Sequence, residues 1–79
     1  MKAISKEQLS GILGYDVETI GTLCDLAKTT GEKIKFADAT FWLLGESWED
    51  YGEWYFAGSV RCFAPDGTRY IVEGTSVYR

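Results

Sequence analysis

Between residues 46 and 53 the chain reads Glu46-Ser47-Trp48-Glu49-Asp50-Tyr51-Gly52-Glu53, four acids with no base among them. That segment alone carries the net charge of −4 of the whole 79-residue chain. Removing its four acids from the total of 12 leaves eight, which balance the eight bases elsewhere. Trp48 and Tyr51 lie inside the acidic run, and Trp54 and Tyr55 follow it directly. Residues of these types recognise partners rather than break bonds. Large rings contribute most of the affinity at the centre of an interface, and clustered carboxylates steer a basic partner and raise its association rate. The competing reading is a solvated acidic loop with Trp48 folded back on a sheet edge, its charges discouraging edge-to-edge strand pairing.

Catalysis has little to work with. The chain has no histidine, the side chain that shuttles protons near neutral pH. It has no histidine–cysteine cluster for zinc and no glycine-rich phosphate loop between a strand and a helix. A pair of carboxylates can serve as acid and base in glycoside hydrolysis, but one small core rarely encloses a pocket of several hundred cubic ångströms. The expectation is a non-enzymatic protein without cofactor or metal.

The elements that position the acidic segment follow from periodicity. The whole chain, 1–79, reads as one domain with a radius of gyration of roughly 12 Å, made of a helical hairpin over 5–30 and an antiparallel sheet over 33–78. Ser5 and Gln8 have the capping-box spacing, ahead of an apolar stripe of Leu9, Ile12 and Leu13. Gly14 stops that helix. Asp16 is placed to cap a second helix, with Val17, Ile20, Leu23, Cys24 and Ala27 on one face, and Thr29-Thr30-Gly31 ends it.

From Lys33 the period changes to two. Trp54, Phe56, Val60 and Cys62 alternate with Tyr55, Ala57, Ser59 and Arg61 as a half-buried strand. Ala64-Pro65-Asp66-Gly67-Thr68 is a turn, from which a strand over Arg69 to Tyr78 returns. A three-residue loop with a glycine bulge keeps apolar residues on one face. It sets Cys62 against Tyr70, Val60 against Val72, Gly58 against Gly74, Phe56 against Ser76 and Trp54 against Tyr78. Residues 33–45 switch parity between Ile34/Phe36 and Phe41/Leu43, which predicts a strand with a bulge or break near Ala37-Asp38-Ala39. The alternative is a short helix over Phe41 to Leu44 capped by Asp38. The fold class is therefore α+β, two N-terminal helices packed on one face of a three- or four-stranded antiparallel sheet.

The longest apolar run, Phe41 to Leu44, is far short of the roughly 20 residues that cross a bilayer. The polar N-terminal ten residues hold no signal-peptide core. These features predict a cytoplasmic protein whose two cysteines, Cys24 and Cys62, are buried free thiols.

Two resemblances bear on function. The stretch Gln8 to Leu23 is similar to the bacterial helix-turn-helix pattern, which would set Val17, Glu18, Thr19, Gly21 and Thr22 at the start of a recognition helix. Charge opposes that use, because phosphate contacts need Lys or Arg and this helix offers Glu18 and Asp25 against Lys28 alone. In size, acidity and aromatic content the whole chain resembles small acidic phage-encoded inhibitors, the anti-CRISPR proteins and other DNA mimics. That resemblance implies stoichiometric blocking of a nucleic-acid-handling complex in a bacterial cytoplasm, with no direct nucleic-acid or membrane contact. Glu46, Glu49, Asp50 and Glu53 would occupy the partner's Lys/Arg surface, Trp48, Tyr51 and Tyr55 would anchor the contact, and Glu18 and Asp25 would extend the negative stripe. The chain would act as a monomer or homodimer. The alternatives are a helix-turn-helix transcriptional regulator and a small self-associating adaptor module.

Overall fold

The computed structural model describes residues 2–78. Strand β1 (Lys2–Ile4) leads into helices α1 (Lys6–Leu13) and α2 (Val17–Thr30). Strands β2 (Ile34–Phe36), β3 (Ala39–Asp50), β4 (Glu53–Phe63), β5 (Arg69–Val72) and β6 (Val77–Tyr78) follow. The protein is α+β, as periodicity predicts, but the sheet is larger than expected and mixed. Its six strands run in the order β1-β5-β4-β3-β2, with β6 also paired to β4. The parallel member is β1 on β5, three residues too short for periodicity to reveal.

Both helices begin and end where their sequence directs. Ser5 caps α1 in a reciprocal box: its hydroxyl accepts from the Gln8 amide and the Gln8 side chain accepts from the Ser5 amide. Gly14 closes α1 at φ 78°. Asp16 occupies the N-cap of α2 without bonding a backbone amide; its carboxylate accepts instead from the Thr19 hydroxyl at 2.8 Å. Leu9, Ile20, Leu23, Cys24 and Ala27 turn inward and meet Ile4, Phe41, Val60, Cys62, Tyr70 and Val72 of the sheet. Fully buried side chains such as Leu9, Ile20 and Phe41 each contribute about 1.5–3 kcal/mol of transfer free energy. Val17 and Ile12, assigned to apolar stripes, remain substantially exposed, because each helix buries only a narrow strip.

The strand does break near Ala37-Asp38-Ala39, but as a hairpin turn rather than a bulge, and the alternative helix is absent. Ala37 and Asp38 form a two-residue turn that pairs Phe36 with Ala39 and Ile34 with Phe41. Across such a turn odd and even residues exchange faces, so Ile34 and Phe41 share one side.

The C-terminal strand is broken. The three-residue loop behaves as expected: the Ala64 amide donates to Thr68 O at 2.9 Å, and Cys62 faces Tyr70. Beyond Ile71 the expected register fails, and the Val60–Val72 pair is not made directly. Gly58 pairs with Val77 and Ala57 with Tyr78, so three residues are looped out relative to the uniform register, and neither the Phe56–Ser76 nor the Trp54–Tyr78 pair exists. Thr75, fully buried, explains the detour. Its hydroxyl accepts from the Val60 amide at 3.0 Å and donates to Val72 O, taking the place of a strand's backbone there. Gly58 consequently faces Gly45 across β3 and β4, not Gly74.

Candidate functional site

The acidic segment is no loop. Residues 46–50 and 53–57 continue the β3–β4 ladder without interruption from Glu46↔Ala57 to Asp50↔Glu53. They form an arm that projects beyond the helices, and residues 46–54 are all exposed. Five residues of extended strand past Gly45 span about 17 Å, a large part of the 45 Å long axis of the molecule. The arm also accounts for a radius of gyration of 13.1 Å, above that of a compact chain of this length.

The glycine pair at the root of the arm lets its strands close tightly. A Cβ on Gly45 would lie 2.4 Å from Ala57 O and 2.6 Å from Gly58 Cα. One on Gly58 would lie 2.8 Å from Leu44 O. The Phe56 ring lies over both positions, 2.8 and 2.9 Å from where those Cβ atoms would sit. Aromatic cover of this kind restores packing where glycines supply no side chain. Beside it is a hollow of about 310 Å³ between the C-terminal end of α2 and the sheet, lined by Lys28, Thr30, Leu43, Phe56 and Val77.

Pairing distributes the arm's chemistry over two faces. Glu46, Trp48 and Asp50 share the outer face, turned away from the helices, with Glu53, Tyr55 and Ala57. Glu49 and Trp54 lie opposite each other on the inner face. The Trp48 and Tyr55 rings stack with centroids 5.9 Å apart and an interplanar angle of 18°, and the Tyr55 hydroxyl donates to Glu53 Oε2 at 2.9 Å. Trp54 has the inward parity expected of a core residue yet is 69% exposed, because the helices do not reach that far along the strand. At the tip Tyr51 and Gly52 both take positive φ, 52° and 79°, the pattern of a type I′ turn. Tyrosine is a costly choice there, by about 1–2 kcal/mol. With 98% of its surface exposed, Tyr51 gains no packing within the chain in return.

Among the described residues the single ion pair is Lys28–Asp25 at 3.6 Å, so the carboxylates of the arm have no cationic partner among them. No group of three or more metal-ligating side chains comes together among the described residues, since the strands hold the acids apart.

The structure thus brings Glu46, Trp48, Glu49, Asp50, Tyr51, Glu53 and Tyr55 together on one arm. It does not bring Glu18 to them. Glu18 lines a hollow with Phe36 at the β2 end of the molecule, whereas the opposite end of α2 faces the root of the arm. Asp25 is tied to Lys28. On α2 the hydroxyls of Thr22 and Thr29 bond to helix carbonyls one turn back.

The candidate site residues drawn from the sequence leave out Trp54, Tyr78 and the outer face at the base of the sheet. There Lys33 Nζ lies 4.2 Å from the centroid of the Trp42 ring and the Arg69 guanidinium 5.3 Å from that of Phe63. Lys35 and Arg61 complete this basic, aromatic surface. The alternation of Lys33 with Lys35 and of Arg61 with Phe63 was its only signal in the sequence.

Comparison of the chain with known protein families, with characterised proteins and with solved structures finds no match. No helix among the described residues is long and apolar enough to cross a membrane.

Proposed function

We propose that this chain is a non-enzymatic, protein-binding inhibitor whose acidic, aromatic arm occupies a Lys/Arg-rich cleft that otherwise holds nucleic acid. One observation carries the reading. Four acids without a cationic partner among the described residues share a hydrogen-bonded, exposed hairpin with Trp48, Tyr51, Trp54 and Tyr55. A flexible acidic tail would lose conformational entropy on docking; a hydrogen-bonded ladder has most of that ordering complete beforehand. Because acids and rings occur on both faces and at the tip, the complementary surface is a cleft rather than a plane. Carboxylates inside it would form charge-assisted bonds to arginine, among the stronger hydrogen bonds in proteins. Targets of this chemistry are the phosphate-binding clefts of CRISPR surveillance complexes, nucleases and polymerases, the class of partner implied by the resemblance to phage-encoded anti-CRISPR inhibitors, with action in the host cytoplasm.

The test is capture of partners from a bacterial lysate at two salt concentrations, with the unaltered chain and with Glu49→Lys/Asp50→Lys. Both positions are exposed, so the variant retains its fold. The chain should recover a nucleic-acid-handling complex in a salt-sensitive manner. Removing one member of each buried charge pair should weaken capture by about 2–5 kcal/mol. The proposal is falsified if the folded double variant captures or inhibits its target unchanged. Sequence-specific DNA binding by the unaltered chain would instead install the helix-turn-helix reading.

A further inference from the structure

The outer face of the sheet is divided along its length into a basic and an acidic half. Taken in rows across the strands, the first holds Lys35, Thr40, Phe63 and Arg69, and the second Trp42, Arg61 and Ile71 with Lys33 over the Trp42 ring. The third row holds Leu44 and Ser59, the fourth Glu46, Ala57 and Tyr78, the fifth Trp48 and Tyr55, and the sixth Asp50 and Glu53. Four bases therefore occupy the first two rows and three acids the fourth and sixth, with aromatic rings in both halves and Leu44 and Ser59 between them. None of these charges is ion-paired within the chain among the described residues. The helices pack on the opposite face, so Trp42, Leu44, Phe63 and Ile71 are left only half covered.

A surface of this pattern complements itself. We infer that the chain forms a two-fold dimer through this face, the acidic arm of each copy lying over the basic base of the other. A two-fold axis in the plane of the interface, perpendicular to the strands and between the third and fourth rows, superposes the first row of one copy on the sixth of the other. Asp50 then lies over Thr40, one strand from Lys35, and Glu53 over Phe63, one strand from Arg69, while Trp48 lies over Trp42 with its Lys33 and Tyr55 over Arg61. Rings over cations are attractive, and each contact occurs twice, as isologous symmetry requires. The alternative axis, parallel to the strands, would place acid on acid and base on base. Two faces of this size pack as an aligned sandwich, roughly 10 Å apart. Arg61 is prepared for such cover: its Nε is already buried and has no acceptor among the described residues. This inference stands independently of the inhibitor reading, but the two associations compete, since the outer face of the arm serves only one partner at a time.

Sedimentation velocity of the full chain at about 100 µM should show a dimer in about 50 mM salt that dissociates toward about 500 mM. An arm variant, Glu46→Lys/Asp50→Lys/Glu53→Lys, and a base variant, Lys35→Glu/Arg61→Glu/Arg69→Glu, should each dimerise at least about 100-fold more weakly. Mixed in equal amounts they should form a heterodimer, because both halves of the interface become complementary again. A monomeric unaltered chain at low salt overturns the inference. So does a dimer indifferent to the arm variant, whose altered side chains are all exposed and which folds in any event; that outcome assigns association to the free edge of β3. Binding of single-stranded DNA to the basic rows of a monomer overturns it as well. Glu49→Lys separates the two proposals. Glu49 lies on the inner face, so this change should weaken target capture and leave sedimentation unchanged.

Discussion

Thr75→Val replaces a hydroxyl with a methyl of nearly the same volume at a fully buried position, and so isolates the two hydrogen bonds that bridge the break between β5 and β6. The Val60 amide loses its acceptor at 3.0 Å, and Val72 O loses its hydroxyl donor. A buried backbone group left without a partner costs about 1–3 kcal/mol. The new methyl returns at most about 0.8 kcal/mol of transfer free energy, and the Val72 carbonyl retains a second lone pair. With the carbonyl counted at the low end of that range, the expected net loss is about 1–3 kcal/mol. A chain of this length has a total stability of roughly 4–12 kcal/mol, so the effect is large. In urea, with a slope of about 1–1.5 kcal/mol/M for so small a domain, the midpoint should fall by about 2 M. Thr75→Ser is the control. It retains both bonds and loses one methyl, about 1 kcal/mol. Serine should therefore exceed valine in stability, the reverse of the hydrophobic order, and amide exchange at Val60 should accelerate in the valine variant alone. A valine variant as stable as the serine variant would refute the claim that this hydroxyl stands in for a strand.

Three further outcomes are expected. Tyr51→Asn should raise stability by about 1 kcal/mol, because asparagine tolerates positive φ, while weakening target capture; a loss of stability would show that the Tyr51 ring has an intrachain role. Gly45→Ala should destabilise by about 1–3 kcal/mol or more, since its Cβ would meet backbone at 2.4 and 2.6 Å and overpacking opposes the usual gain from replacing a strand glycine; thermal melting reads this directly. Burial pushes the Cys24 thiol from its ordinary value of 9.0 up to about 11, and pushes Cys62, with a contribution from nearby Cys24, up to about 12. The unfolded chain ionises these thiols near pH 9 while the folded chain holds them neutral. Their contribution is complete below pH 9 and is lost as pH rises from there through about 11 and then about 12. Denaturation midpoints across that range, compared with those of Cys24→Ala/Cys62→Ala, test the assignment, and thiol reagents should modify the folded protein slowly at pH 7.

Under the proposed function, Tyr51 sets stability and recognition against each other in this arm. A glycine or asparagine would make the tip turn more stable, yet the chain places there a ring that touches nothing of its own. If the arm docks as proposed, that strain is offset by the contact the ring makes with the partner. Trp54, in the second pair below the turn, carries the alternation of a core strand to a position with no core beneath it.

Local rules, in which neighbouring residues contain all the relevant physics, were legible in the sequence. Ser5 and Gln8 define the start of α1, Gly14 its end, and Pro65-Asp66-Gly67 a three-residue loop that sets Cys62 opposite Tyr70. The acidic, aromatic run was visible as composition, together with its candidate residues. Features that depend on distant partners were not legible. Lys2–Ile4 becomes a strand only because the edge of β5 is available to it. The three-residue slip after Val72 exists because the Val60 amide is satisfied by a side chain fifteen residues away. Glu18 and the arm belong to opposite ends of the molecule because α2 crosses the sheet with its C-terminal end toward the arm. Above all, a period of two says that residues alternate but not how far the helices extend over the strand. Only the packed structure decides where the covered sheet ends and the arm begins, because cover is a property of the assembled layers and not of either strand.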